Sequence, residues 1–256
     1  MRGLQWFNAL SAGATPVDGL PASLKVADGV LGEQAVRFIA VVTDAHNRFP
    51  RARNGEVGLL EGWGLAKAVD DAIARGDKRP IIAIVDVPSQ AYGRREEALG
   101  IHQALAAAAD SYARARLAGH PVIALLVGKA MSGAFLAHGY QANRLIALRD
   151  PGVMVHAMGK ASAARVTLRS VEELEALAAS VPPMAYDIDS YASLGLLWET
   201  LSVSQIEHPT AADVVRVSDC LLHAINDVAG PDLKGRLGAT HRAASSHVRQ
   251  LLREQW

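Results

Sequence analysis

The sequence predicts an α/β protein built on a mainly parallel sheet. Three observations support this prediction: short runs of apolar residues, stretches of helical spacing that alternate with them, and turn-rich loops where the runs end. Such alternation is typical of βαβ units, in which helices cover both faces of the sheet. Half of the 256 residues are hydrophobic and 20% are charged, which favours a sizeable core over a disordered chain.

The predicted strands are mostly buried ones. Residues 35–44 are β-branched and mainly apolar, which is typical of a strand covered on both faces. A stretch of helical spacing follows, and Gly76 is predicted to cap it. The predicted strands cover residues 35–44, 79–86, 121–127, 144–148 and 153–156. The predicted helices between them cover residues 59–75, residues 94–118 and a short segment that ends at about residue 141.

The two ends of the chain differ from this pattern. Residues 1–32 are rich in Gly, Ala and Pro and show no period, so an irregular N-terminal arm is predicted there. Residues 33–256 are predicted to form a single domain, because no repeat or low-complexity linker divides them. The C-terminal third is predicted to be mainly helical, over residues 171–179, 186–194, 211–229 and 241–255.

Composition argues against several classes of function. The 26 basic residues balance the 26 acidic ones, so net charge gives no reason to expect nucleic acid or an anionic membrane as a partner. Cys220 is the one cysteine, so neither an intramolecular disulfide nor a thiolate zinc site is predicted. The nine histidines follow no metal-binding pattern, and no metal site is predicted. Without a signal-peptide pattern or a long apolar run, the expected location is the cytoplasm.

Two loops that follow predicted strands are the candidate site. In open α/β sheets, ligands bind where the carboxyl ends of strands meet helix N-termini, and residues 86–93 and 128–134 occupy such positions. The second loop is rich in small residues and leads into a helix, which suits backbone amides that stabilise an oxyanion. Close packing of the strand against the helix explains the same small residues equally well, and the sequence leaves both interpretations open.

Two other motifs can be tested on the second loop. A phosphate-binding loop is excluded, because Ile123 and Ala130 replace its first glycine and its Ser or Thr. The segment around Ser132 resembles a Gly-x-Ser-x-Gly nucleophile elbow with alanine at both glycine positions. Its acid and base would be Asp150 and His156, which lie close together in the chain, so a serine nucleophile is the less favoured hypothesis.

Charged and polar residues near these loops have structural explanations as well. His156 ends an apolar strand, where a structural histidine held by hydrogen bonds is favoured over a proton donor. Arg94 and Arg95 open a helix, where solvated side chains are favoured over a phosphate site. Asp86 precedes a proline and is expected to cap its loop through backbone hydrogen bonds.

Three motifs, in order, resemble those of acyl-CoA carboxyltransferases. Residues 128–135, Gly-Lys-Ala-Met-Ser-Gly-Ala-Phe, resemble the Gly-Lys-Ala-Tyr-Gly-Gly-Ala-Tyr loop of that family. Residues 86–89, Asp-Val-Pro-Ser, resemble its Asp-Thr/Val-Pro-Gly turn, and residues 153–159 are similar to the strand and Met-Gly turn that follow. With its short length, the chain most resembles the γ subunit of biotin-independent malonate decarboxylase, over roughly residues 30–200.

The resemblance implies a crotonase-like ββα superhelix with a helical C-terminal region. It also implies an active site shared with a β subunit, which would decarboxylate a malonyl thioester on an acyl carrier protein to an acetyl thioester and carbon dioxide. The family's carrier has a phosphoribosyl-dephospho-CoA prosthetic group, so neither biotin nor a covalent cofactor is implied for this chain. An acyl carrier protein subunit and an acyl carrier protein transferase subunit are the other implied partners.

The resemblance also implies site residues. The amides of Gly133 and Ala134 would form one oxyanion hole for an enolate, beside Ser132, and the β subunit would supply the other hole. The implied substrate-binding residues are Ser89, Gln90, Tyr92, Met131, His156, Met158 and Gly159. Ser89 and Ser132 stand where the family has glycines. The proton donor to the enolate stays open among Tyr92, His156, a water molecule and a residue of the β subunit.

Two other functions stay open. A stand-alone crotonase-like acyl-CoA hydratase or hydrolase would need a Glu or Asp over the acyl group, and neither loop offers a good candidate. A non-catalytic subunit that completes or regulates another subunit's site would need no chemistry of its own. Full decarboxylation by the isolated chain would contradict the shared active site.

Overall fold

An eight-stranded sheet organises the part of the chain that the computed structural model describes, residues 1–237 and 239–256. Its strands are β1 (Thr15–Pro16), β2 (Leu24–Leu31), β3 (Gln34–Val41), β4 (Ile81–Val87), β5 (Val122–Met131), β6 (Arg144–Leu148), β7 (Met154–His156) and β8 (Glu199–Leu201). The strand order is β1-β2-β3-β4-β5-β6-β8, and β7 pairs with β5 beside that path. Strands β1 to β3 are antiparallel and the remaining pairs are parallel, so the predicted mainly parallel sheet is confirmed.

Helices surround this sheet and dominate the C-terminal third, as predicted. They are α1 (Arg2–Leu10), α2 (Leu59–Ala74), α3 (Arg94–Ala98), α4 (Ile101–Leu117), α5 (Ser132–Ala137), α6 (Lys160–Val166), α7 (Val171–Ala178), α8 (Ile188–Ser193), α9 (Ala211–Asn226) and α10 (Ala243–Gln255). Helix α2 packs against α4, while α1 packs against β3, β4 and α9. No helix in the described segments is long and apolar enough to cross a membrane.

Strands β3 to β6 form the core because their side chains are almost all apolar. Ile39, Ile84, Leu125 and Ile146 have no exposed surface. Burying a side chain of this size stabilises the fold by about 1.5–3 kcal/mol. The predicted strands over these segments are confirmed with small shifts of their ends, except that β5 continues to Met131. This extension carries the strand through the glycine-rich segment and directly into α5.

The single helix predicted over residues 94–118 is wrong. Gly100 has a φ of +81° and separates α3 from α4. Its amide donates to the carbonyl of Glu97, so the glycine closes the short first helix and opens the second. A left-handed residue interrupts the helical hydrogen-bond pattern, and glycine adopts that conformation without steric cost. Strong helix formers stand on both sides, mainly Arg and Glu before Gly100 and alanine after it, and they concealed this break.

The irregular conformation predicted for residues 1–32 is wrong as well, because the segment contains α1, β1 and β2. Trp6 is fully buried, and its indole N–H donates to the carbonyl of Ile206 at 2.9 Å. The amide of Gly3 donates to Asp86 Oδ2 at 3.0 Å, and the Arg2 side chain bonds two carboxylates of later segments. The buried residues Gly3, Trp6, Phe7 and Leu10 lie at helical spacing, so local periodicity does indicate this helix and the sequence analysis missed it.

A buried histidine joins α5 to the core. His138 follows α5 directly, and its Nε2 lies 3.0 Å from the carbonyl oxygen of Ile84. A carbonyl oxygen can only accept, so Nε2 carries the proton, and Nδ1 accepts a hydrogen bond from the Tyr112 hydroxyl at 3.0 Å. Burial lowers the pKa of His138 to about 4. The ring therefore stays neutral and connects α5 to β4 and α4.

Helix α6, which the sequence analysis missed, ends in a Schellman motif. The amide of Arg169 donates to the carbonyl of Ala164, and the amide of Leu168 donates to the carbonyl of Arg165. Leu168 occupies the left-handed position of this motif, with a φ of +55° and 94% of its surface exposed. Glycine is the usual residue there because a side chain is strained in this conformation.

Candidate active site

The three sequence motifs meet at one edge of the sheet. Strands β4, β5 and β7 are parallel neighbours, so the loops that follow them leave the sheet on the same side. Val87 pairs with Ala130, and Met131 pairs with His156. The structure thus brings together the loop after β4, the start of α5 and the turn after β7, as the sequence predicted.

Ser132 makes the turn from β5 into α5. Its φ is +60°, a left-handed conformation that only two other non-glycine residues adopt in the described segments. This conformation is the physical reason why glycine suits the position. Gly133 and Ala134 follow in the first turn of the helix, where backbone amides have no acceptor within the helix. Gly133 is partly exposed, whereas Ala134 is buried.

The amide of Gly133 holds a carbonyl oxygen. It donates a hydrogen bond to Oε1 of the Gln90 side chain at 3.0 Å. A Cβ added to Gly133 would lie 3.4 Å from its nearest neighbour, an ordinary contact distance. Close packing therefore does not require glycine here. The Gly133 amide is available to an acceptor from outside the helix, which favours the oxyanion interpretation at this position.

The opposite holds for Gly128, where packing explains the glycine. A Cβ at this position would lie 2.1 Å from Asp86 Oδ1, so no side chain fits without displacing the carboxylate. That carboxylate accepts the amide of Lys129 at 3.1 Å and the amide of Gly3 at 3.0 Å. Asp86 therefore binds backbone amides, as expected from its position, and fixes the strand that leads to Ser132.

His156 lies beside the site and is held by its surroundings. Its ring stacks on Tyr186 with centroids 3.9 Å apart, and its Nδ1 lies within hydrogen-bond distance of both the amide and the carbonyl of Met158. A neutral ring makes only one of these two bonds at a time, depending on the tautomer. Burial lowers the pKa of His156, so the neutral ring is favoured. Tyr186 also donates to the Met158 carbonyl, at 2.8 Å.

A serine hydrolase would need an acid to orient this histidine, and the structure gives Asp150 another role. The Asp150 carboxylate pairs with Arg2 at 2.8 Å and accepts the amide of Gly152 at 2.7 Å. Asp150 is thus bonded to the N-terminal helix and its own turn. The nucleophile hypothesis for Ser132 therefore lacks its third residue.

A cleft of about 490 Å³ opens next to these groups. Ser132, Gly133 and His156 lie along its wall. Its other walls are mostly apolar and include residues that the sequence analysis did not single out, namely Phe135, Leu136, Tyr140, Tyr191, Leu194 and Leu196. Half of these come from α8 and the turn after it. No local sequence motif predicts that this segment packs beside the cleft. An apolar wall beside backbone donors suits an acyl group whose carbonyl oxygen is bound at one end.

The remaining residues singled out from the sequence are not among the described residues that line this cleft, namely Ser89, Gln90, Tyr92, Met131, Ala134, Met158 and Gly159. Met131 is buried in a small cluster with Ala163 and Leu174, and Met158 packs on the same cluster. Tyr92 is 47% exposed and lies under the Arg51 guanidinium, 4.6 Å from its ring centroid. The hydroxyl of Ser89 donates to the carbonyl of Gln90, and Gly159 precedes the first turn of α6. The structure therefore gives these residues packing and hydrogen-bond contacts of their own and does not bring them together along the cleft wall.

The sheet topology and the loops at its carboxyl edge define a carboxyltransferase-type, crotonase-like fold. Transcarboxylase 12S has this fold in common with the chain, at a TM-score of 0.62 and 20% identity, over 83% of this chain and 38% of that one. The family model for the malonate decarboxylase gamma subunit matches residues 52–256, and the chain belongs to that family. Both the fold class and the family resemblance predicted from the sequence are confirmed.

Two relatives illustrate this membership. The chain is 72% identical to one in the structure of a Pseudomonas malonate decarboxylase hetero-tetramer in complex with coenzyme A, with a TM-score of 0.95, and the match covers 100% of this chain and 99% of that one. It is 34% identical to the malonyl-S-ACP:biotin-protein carboxyltransferase of Malonomonas rubra over 230 residues. This match covers 86% of this chain and 75% of the relative.

Proposed function

We propose that this chain supplies one oxyanion hole of a two-subunit active site that decarboxylates a malonyl thioester. The observation that carries the proposal is the Gly133 amide, which donates to a carbonyl oxygen from outside its helix, while Gly133 itself lies along the wall of the cleft. A hetero-dimer of a Pseudomonas malonate decarboxylase contains a relative 68% identical to this chain, which supports a β-type partner. The name of the Malonomonas relative supports a carrier-bound malonyl group.

The chemistry follows from where charge develops. The thioester oxygen accepts hydrogen bonds from the amides of Gly133 and Ala134. When the bond between C2 and the carboxylate carbon breaks, its electron pair forms an enolate and carbon dioxide leaves. The negative charge moves onto the thioester oxygen, where fixed backbone donors stabilise it more than they stabilise the neutral carbonyl. A proton then adds to C2, which gives the acetyl thioester.

The proposal includes the family's other components. Its partners are a β subunit, an acyl carrier protein subunit and an acyl carrier protein transferase subunit, and the substrate arm is the phosphoribosyl-dephospho-CoA of the carrier, without biotin. The candidate proton donors stay Tyr92, His156, a water molecule and a residue of the β subunit. The predicted residues of the substrate site stay Ser89, Gln90, Tyr92, Met131, His156, Met158 and Gly159. A cytoplasmic location stays a prediction.

One core cluster that extends from Trp6 to Ile225 supports a single domain that includes the N-terminal segment.

Gly133→Pro tests this proposal, because it removes the amide N–H; since proline restricts the backbone of the preceding Ser132, whose φ is +60°, the folding of the variant is checked separately. Proline is tolerated in the first turn of a helix, where the missing N–H has no helical acceptor. Gly133→Ala is the matched control, because it keeps the amide and its Cβ has room. In the complex with the β subunit, we expect Gly133→Pro to reduce carbon dioxide release from malonyl carrier protein by about 100-fold or more, and Gly133→Ala to retain most of it.

This comparison is valid only if both variants have the circular dichroism spectrum of the unmodified chain and form the complex with the β subunit. Full activity of a folded Gly133→Pro complex would contradict the proposal and favour a purely structural subunit. The rival hydratase or hydrolase function predicts turnover of an acyl-CoA by the isolated chain. The buried carboxylate of Glu61 is already bonded to Asn47, Ser23 and the Gly58 amide, so it does not serve that chemistry.

A further inference from the structure

We propose that the Gln90 side chain is a built-in competitor of the substrate for the Gly133 amide. Its Oε1 occupies, at 3.0 Å, the position that the thioester oxygen would take. The inference rests on the proposed function, which makes this amide part of the oxyanion hole. In the free chain the hole is therefore filled by a neutral carboxamide, and the substrate must displace it.

The backbone on both sides of Gln90 explains why its side chain reaches the site. Val57 forms an isolated parallel bridge with Gln90. The Val57 amide donates to the carbonyl of Ser89 at 3.0 Å, and the Ala91 amide donates to the carbonyl of Val57 at 2.8 Å. Because these two bonds hold the neighbouring residues, the loop backbone is fixed while the Gln90 side chain stays partly exposed and can rotate away.

The charge of the acceptor decides how this competition affects turnover. The carboxamide oxygen of Gln90 and the ground-state thioester oxygen are both neutral, so the side chain competes well with bound substrate. Once substrate has displaced it, the side chain no longer contacts the amide, and the step to the enolate proceeds as it would without Gln90. Gln90 therefore raises KM and leaves kcat unchanged, which is the signature of an interaction lost equally in the ground state and the transition state.

Gln90→Ala is the first test, in the complex with the β subunit and with malonyl carrier protein as substrate. We expect KM to fall about fivefold with kcat unchanged; this factor corresponds to about 1 kcal/mol, the typical net value of one neutral hydrogen bond. The inhibition constant of acetyl carrier protein, the product, should fall by the same factor, because its thioester oxygen uses the same amide. Gln103→Ala, an exposed glutamine of α4, is the control and should change neither constant.

Gln90→Glu is the second test and should act in the opposite direction. A carboxylate accepts an amide hydrogen bond more strongly than a carboxamide does, so KM and the acetyl carrier protein inhibition constant should both rise at least fivefold. The acetyl group has no carboxylate, so its weaker binding cannot be due to repulsion between two negative charges. Gln103→Glu again serves as the control.

A lower kcat in Gln90→Ala would overturn the inference, because it would mean that Gln90 supports the hole. Unchanged KM in both Gln90 variants would also overturn it. Failure of the proposed function is distinguishable, because it would appear as full activity of Gly133→Pro whatever the Gln90 variants do.

Discussion

Replacing Ser132 tests whether its backbone conformation or its hydroxyl group matters at the site. The residue has a φ of +60°, which costs a non-glycine residue about 1–2 kcal/mol. Ser132→Gly removes that strain but gives the unfolded chain more conformational freedom. The net expectation is a gain of about 0.5–1 kcal/mol in the free energy of unfolding, which corresponds to a rise of about 2 °C in melting temperature for a chain of this size.

Ser132→Ala is the complementary change, because it removes the hydroxyl and keeps the Cβ and its strain. We expect its melting temperature to stay close to that of the unmodified chain. Both variants, assembled with the β subunit, should release carbon dioxide from malonyl carrier protein at rates within a few fold of the unmodified complex. The reason is that the proposed chemistry uses the amides of Gly133 and Ala134 and needs no serine nucleophile.

Two results would refute this reasoning, one for each part of it. A large loss of activity in Ser132→Ala, with unchanged melting and assembly, would mean that the hydroxyl acts chemically. A Ser132→Gly variant that melts below the unmodified chain would mean that the left-handed conformation is not a source of strain. Thermal unfolding by circular dichroism and a carbon dioxide release assay therefore separate the two questions.

The remaining predictions concern His138 and Leu168. The pKa of buried His138 is lowered from 6.5 to about 4, so its contribution of about 3 kcal/mol is present above pH 6.5 and is lost as the pH falls towards 4. Urea unfolding at pH 7, 6 and 5 measures this loss, which His138→Gln should abolish. Leu168→Gly should raise the free energy of unfolding by up to about 1 kcal/mol, because glycine adopts the φ of +55° without strain.

Each of these predictions has a defined control. A loss of stability between pH 7 and pH 5 that is identical in His138→Gln would assign the pH dependence to other groups. Leu117→Gly is the matched change for Leu168, because Leu117 is also exposed but ends α4 in helical conformation. It should lower the stability by up to about 1 kcal/mol. If both glycine variants shift the melting temperature in the same direction, the strain argument fails.

Sequence reasoning succeeded for elements whose signal is local. Strands β3, β4 and β5 appear as apolar runs, and α2 shows helical spacing closed by Gly76, whose φ is +73°. Helix α1 was missed although Trp6, Phe7 and Leu10 lie at helical spacing, because it has no side-chain cap at Met1 and lies in a stretch rich in Gly, Ala and Pro. The break at Gly100 was missed because strong helix formers, mainly Arg and Glu before it and alanine after it, favour a continuous helix.

The candidate site divides in the same way. That the motif loops meet at one edge follows from parallel pairing of β4, β5 and β7, which their apolar sequences predict. The bond between Gln90 and Gly133 does not follow, because it depends on the bridge between Gln90 and Val57. The two possible reasons for small residues depend on the packing around each glycine, which the sequence does not contain. Packing accounts for Gly128, whereas Gly133 has room for a side chain.

Asp86 gives the N-terminal helix and the site loop a common acceptor. One carboxylate oxygen binds the Gly3 amide and the other binds the Lys129 amide, while a Cβ at position 128 would displace this carboxylate. Asparagine has only one acceptor oxygen, so exchanging Asp86 for it would release one of these two segments. During evolution the N-terminus and the loop can each diverge at other positions, but at this carboxylate neither can change independently of the other.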